Sequence, residues 1–186
     1  RGGELVNVVP ADVQLETYVR GASVEAMRAA SSVVDRCLWA GAMALGARVE
    51  IATLPGYLPR LVSGELSALY RANARELVGA EGWWESEFAA GSTDIGDVSH
   101  IMPAIEASAN GCLGTGHGAD YRVHDPYSAY VLPAKAAGGT IVDLLAEGCA
   151  GARQVISAYR APMTKSSYLE FMRGLQSTIS WGPEAG

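Results

Sequence analysis

The sequence predicts an α/β chain, and three observations carry that reading. Residues 12–20, DVQLETYVR, alternate with period two, so Val13, Leu15, Thr17 and Val19 share one face and polar or charged side chains the other. That is the pattern of a strand with one wet face. From Ser23 to Gly46 the spacing turns helical, with Met27, Ala30, Val34, Cys37, Leu38 and Leu45 recurring on one side. Period two returns in RVEIATL, residues 48–54.

Each element has a local reason. ELVNVVP, residues 4–10, pairs back on 12–20 through a turn at Pro10-Ala11-Asp12. Ser23 offers an N-cap oxygen, and Glu25 places a carboxylate in the first turn of the helix. Residues 1–54 therefore read strand, strand, helix, strand, one strand and one helix short of a six-element split βαβ sandwich. LPGYLPR, 54–60, carries two prolines and a glycine and marks a boundary. Beyond it Ser63 caps a helix bearing Leu66, Leu69, Tyr70 and Leu77, followed by the pair Trp83-Trp84. IMPAIEA, 101–107, reads as a short buried strand that Pro103 confines to an edge or an end. Asp125-Pro126 is a helix start, a capping carboxylate followed by proline at the first helical position. That helix runs through Val131, Ala134, Ile141, Val142 and Leu145 to a stop at Gly148. Two shorter helices follow, near 151–159 and from a Thr164 cap to about Gln176.

Composition excludes several functions. With 186 residues, 49% hydrophobic and 18% charged, the chain has enough apolar material for a buried core. A net charge of −6, with no run among the 14 Lys and Arg residues, argues against a nucleic-acid footprint. A small molecule or another protein is the expected partner. No segment reaches the roughly 18 apolar residues of a membrane span, and no signal-peptide layout opens the chain. Cys37, Cys112 and Cys149 lie far apart without a CxxC pair, which reads as reduced, buried thiols of a cytoplasmic protein. The chain lacks an initiator Met, and a fragment of a longer protein is one expectation.

Chemistry-bearing residues concentrate in two stretches. GTGHGADYRVHDP, 114–126, holds three glycines and two of the three histidines. Glycines on both sides leave the His117 ring uncovered, which suits a metal ligand with open space beside it, or a hydrogen-bonded loop histidine. Asp120, His124 and Asp125 are at hand to orient the ring. One imidazole cannot hold a catalytic zinc, and no HxD, HExxH or paired glutamates accompany it. His100 reads as a pocket or structural residue before a ligand. GSTDIGDVSH, 91–100, offers hydroxyls at Ser92, Thr93 and Ser99 and carboxylates at Asp94 and Asp97. It suits either a cradle for a polar substrate group or a turn held by Asx-type bonds. It is not a GxSxG elbow, and GCLGTGHG is not placed as a dinucleotide fingerprint requires. Arg20 is either a bidentate carboxylate clamp or a solvated strand end.

NVVPADVQLETYVRG, a helix, RVEI, LPGYLP, GSTDIGDVSHIMPAIEA and GTGHGADY with its closing helix together resemble the metal-dependent aminoacylase/carboxypeptidase G group of peptidases and amidohydrolases. The likeness is closest to its amidohydrolase and p-aminobenzoyl-glutamate hydrolase branch. It implies an α/β metallohydrolase catalytic domain with two divalent ions, usually zinc with manganese or cobalt as substitutes, interrupted by a ferredoxin-like lid that also forms a homodimer. Residues 1–62 correspond to an incomplete lid and dimerisation domain, and 63–186 to the C-terminal part of the catalytic domain. By the same resemblance His117 is the last metal ligand, and Asn7 and Arg20 bind substrate from the lid. Gly91, Ser92 and Thr93 receive the carboxylate end of an N-acyl amino acid or peptide-like substrate. The remaining ligands and the general base of such enzymes belong to an N-terminal half that has no counterpart here. The isolated chain is therefore expected to be inactive on the amide bond, and a non-catalytic dimerisation remnant is the alternative.

Overall fold

The computed structural model describes residues 2–85 and 91–183, and it is α/β, mostly helix with two small two-stranded sheets. In chain order the elements are α1 (Val24–Ala44), β1 (Val49–Thr53), α2 (Gly64–Val78), α3 (Asp94–Ser99), β2 (Cys112–Leu113), β3 (Arg122–Val123), α4 (Leu132–Ala158), α5 (Lys165–Leu175) and β4 (Ser177–Trp181). One wide π turn, Tyr127–Val131, leads into α4. β1 pairs with β4, and β2 pairs antiparallel with β3 in the register Cys112↔Val123, Leu113↔Arg122. The chain divides into two compact units: residues 1–51 with 179–186, and residues 52–178.

In the first unit, α1 starts as its sequence predicts. The Ser23 Oγ accepts from the Ala26 N–H at 3.1 Å, satisfying a donor the first turn leaves orphaned. A bond from its own backbone N–H first, and one from the Ser23 hydroxyl second, hold the Glu25 carboxyl below its ordinary value. At the other end Gly46 takes φ +62 and its N–H returns to the Met43 carbonyl at 3.1 Å, a left-handed stop that glycine adopts without cost. Met27, Ala30, Val34 and Leu38 are half-buried, whereas Cys37 and Leu45 are exposed.

Three expectations need correction here. Residues 4–10 and 12–20 form no ladder, and of 12–20 only Val19 is even partly covered. Val13 is 61% and Leu15 72% exposed. Alternation says which side chains would share a face, but a strand exists only when a neighbour takes its backbone groups, and no described strand lies beside this one. IMPAIEA is likewise not a strand. Its Ile101 and Met102 N–H groups turn back to the Val98 carbonyl at 3.0 and 3.1 Å, the Ala104 carbonyl accepts from Ser63 N–H at 3.2 Å, and Pro103 has no N–H to give a ladder. The thiols are unpaired, as expected, but they are not buried: Cys37 sits on the uncovered side of α1, and Cys112 and Cys149 are half-buried.

The second unit holds most of the buried side chains. α2 and α4 pack together over Ala74, Ala136 and Thr140. Small residues permit the approach: a Cβ on Gly139 would lie 2.1 Å from the Asn73 Oδ1, whose own Nδ2 donates to Asp143 at 2.6 Å. The predicted stop near Gly148 is a left-handed turn inside α4, with Glu147, Gly148 and Cys149 all at positive φ. α5 begins at the predicted Thr164 cap, with a reciprocal capping box to Ser167.

A candidate site at the hairpin tip

Two constellations in the second unit absorb the chemistry-bearing stretches. GSTDIGDVSH is not a loop but the short helix α3, with Thr93 as its N-cap residue. The segment before α2 lies across this helix. Gly96 makes that possible, because a Cβ there would stand 1.9 Å from the Leu58 carbonyl oxygen. The Leu58 N–H donates to Asp97 at 2.8 Å and the Leu61 N–H to the Ser99 Oγ at 3.0 Å; that hydroxyl in turn donates to the Gly96 carbonyl at 2.6 Å. Ser99 is fully buried, so the two bonds of its hydroxyl stand in for water that cannot enter.

His100 belongs to this packed hub. It is 3% exposed, and its Nδ1 lies 2.9 Å from the Gly96 carbonyl. A carbonyl only accepts, so Nδ1 carries the proton. Its backbone carbonyl accepts from Met163 N–H at 3.0 Å, and Tyr159 OH donates to the Ser99 carbonyl. Burial raises the Tyr159 phenol, and burial followed by the neighbouring Asp97 carboxylate raises that of Tyr168. The hydroxyls and carboxylates at 94–100 are therefore largely spent on holding the fold. Ser92 and Thr93 are half-exposed and Gly91 is exposed. The Thr93 hydroxyl donates to Glu106 at 3.3 Å, and the same carboxylate oxygen takes Arg60 at 2.5 Å.

The second constellation is the β2–β3 hairpin. Its base is fixed to the start of the helical region by Gly111, whose carbonyl accepts from His124 and Asp125 N–H at 2.8 and 2.9 Å. At φ +104, with a would-be Cβ 2.5 Å from the Asp125 carbonyl, no other residue fits there. Asp125 then caps the helical run as its sequence predicts. Its oxygens accept from Tyr127 N–H at 3.0 Å and Ser128 Oγ at 2.6 Å, and the serine first of all holds the carboxyl below its ordinary value.

His117 stands at the tip, exposed, with φ +62. A left-handed conformation costs a side-chain-bearing residue about 1–2 kcal/mol. Glycine would remove that cost, and glycines already flank the position. No hydrogen bond joins His117 to Asp120, His124 or Asp125 among the described residues, so the expected orienting partners do not hold its ring. Nor do three His, Cys, Asp or Glu side chains gather anywhere among the described residues into a group that would hold a metal ion. One imidazole does not close a coordination shell, so these residues do not by themselves fit a complete metal centre.

The remaining predicted residues lie in the first unit. Asn7 is exposed in a turn closed by Val8 N–H to the Leu5 carbonyl at 3.5 Å. Arg20 is exposed, with its guanidinium carbon 5.6 Å from the centre of the Tyr18 ring. Glu106 and Arg60 are the pair that sequence reasoning missed, since only the fold brings positions 46 apart into contact.

Similarity to characterised sequences bears on this geometry. Human Xaa-Arg dipeptidase is 32% identical over 108 residues, 56% of this chain and 24% of that protein. Its mouse counterpart is 31% identical over 110 residues, 56% of this chain and 25% of that protein. The chain is a distant, partial relative of these dipeptidases. It spans about a quarter of their length. No family model matches, and no solved structure matches. No helix among the described residues is long and apolar enough to cross a membrane.

Proposed function

We propose that this chain is the C-terminal portion of a metal-dependent peptidase or amidohydrolase that cleaves the amide bond of an N-acyl amino acid or dipeptide, and that His117 is the one metal donor it contributes. The carrying observation is the strained, solvent-facing imidazole between two glycines, where glycine itself would be easier. Backbone strain kept at an exposed tip motivates a working side chain. The likeness to dipeptidases supplies the bond class. In this reading residues 1–62 act as the lid through which two copies associate, with Asn7 and Arg20 as substrate contacts. Residues 63–186 complete the catalytic domain, and Gly91, Ser92 and Thr93 face the substrate carboxylate. A divalent ion, zinc in the first instance, would polarise the scissile carbonyl once the missing donors are supplied.

The test has two arms. Cobalt(II) titrated into the purified chain and followed by proton NMR is expected to broaden the His117 Cε1 proton at lower concentration than that of His124, and to leave buried His100 sharp. Broadening that spares His117 defeats the assignment. Hydrolysis of N-acyl amino acids and Xaa-Arg dipeptides by the chain with zinc, manganese or cobalt is expected to give no turnover. Turnover abolished by His117→Ala would overturn the claim that the site is incomplete.

A further inference from the structure

Asp120 organises the tip, and it does so without touching the imidazole. Both of its carboxylate oxygens lie 3.2 Å from the Thr115 N–H, which donates across the loop. The Thr115 carbonyl accepts from Gly118 N–H at 2.7 Å, and the Gly118 carbonyl from Tyr121 N–H at 3.1 Å. Gly118 and Gly114 are moulded around the same residue. A Cβ on Gly118 would lie 2.5 Å from the Asp120 Oδ1, and one on Gly114 would lie 2.4 Å from the Asp120 carbonyl. The residues enclosed by the Thr115–Gly118 bond are Gly116 and His117, and Gly116 has nothing within 4 Å of a would-be Cβ. The tip is thus closed on one side and open on the other.

We infer that Asp120 is a positioning residue that presets the left-handed presentation of His117 before any ligand arrives. This rests on the reading of His117 as a working group. A carboxylate accepting a backbone N–H is a strong local acceptor, and here it substitutes for the second strand that a longer hairpin would use. Metal donors on glycine-rich loops face two designs: the ion gathers a mobile loop, or the protein fixes the loop and the ion finds the donor in place. The Asp120 bonds give this chain the second design. The entropy of ordering the tip is then met on folding, not on binding.

The experiment uses the whole chain free of metal, in the presence of a chelator. Positive φ at His117 brings its Hα close to its own amide proton, so wild type is expected to show a strong intraresidue cross-peak and slow exchange of the Thr115 amide. Asp120→Ala is expected to weaken that cross-peak and speed Thr115 exchange by about tenfold or more, while the His100 and Met163 signals of the buried hub stay put. Asp120→Asn, which keeps an acceptor oxygen, is expected to return both readouts to within about threefold of wild type. Unchanged readouts in the alanine variant overturn the inference. So does loss in both variants, or loss of the hub signals, since a lock confined to the tip leaves the hub intact. A failed cobalt titration would remove the metal role of His117 and leave this result standing, because no metal enters it.

Discussion

The two histidine-bearing stretches, 91–104 and 111–125, invite direct comparison because both are rich in glycine, hydroxyls and carboxylates. In the first, Asp97, the Ser99 hydroxyl and the Ser99 and His100 carbonyls take bonds from Leu58, Leu61, Tyr159 and Met163 respectively, while the His100 Nδ1–H donates to the Gly96 carbonyl. The four donors from outside this stretch come from two separate parts of the chain, 58–61 and 159–163. In the second, all bonds around His117 arise within the hairpin itself, and the ring remains in solvent. Identical residue types thus serve packing where the chain converges and presentation where it protrudes. The difference is one of partners: the hub spends its groups on packing, and the tip leaves its imidazole in solvent.

Paired glycine substitutions break this comparison most severely. Gly96→Ala sets a methyl against the Leu58 carbonyl and is expected to lower stability by about 3 kcal/mol or more, read from urea unfolding. Gly116→Ala enters open space at the tip and is expected to change stability by under about 0.5 kcal/mol. Equal effects would erase the distinction between hub and tip. The histidines sharpen it at smaller scale. His117→Gly relieves the positive φ and is expected to stabilise by up to about 1 kcal/mol, whereas His100→Gly opens a cavity in the hub and destabilises. A loss of stability from His117→Gly would mean the imidazole has a packing role. The smallest effect concerns Asp125 at the hairpin base. Its carboxyl is held below the ordinary value of 3.8, so the cap is fully present above that pH and is lost as pH falls through the lower folded value. Asp125→Asn keeps the acceptor oxygen and should flatten that acid-side decline, checked by unfolding midpoints between about pH 5 and pH 2.5.

Parts of this molecule were legible at once. Ser23, Thr164 and Asp125 cap their helices because capping is a bond between near neighbours, and the turn inside α4 falls at the predicted Gly148, with Glu147 and Cys149 sharing its positive φ. The exposure of His117 was also legible from its neighbours, since glycines on both sides leave its ring uncovered. The strands at 4–20 were misread because alternation is a property of the segment, whereas pairing is a property of its surroundings. The GSTDIGDVSH stretch was undecidable between cradle and turn for the same reason.

Local chemistry by itself settled the α/β class, three helix starts and the bareness of the tip imidazole. Tertiary structure alone decided that Gly96 lets one segment cross another and that Ser99 and His100 face inward. It also brought Glu106 to join Arg60 and Thr93, and left Val13 and Leu15 without a sheet. The physical reason is range: a cap or a glycine turn acts over three or four residues, while burial and strand pairing depend on which distant segments the chain brings together.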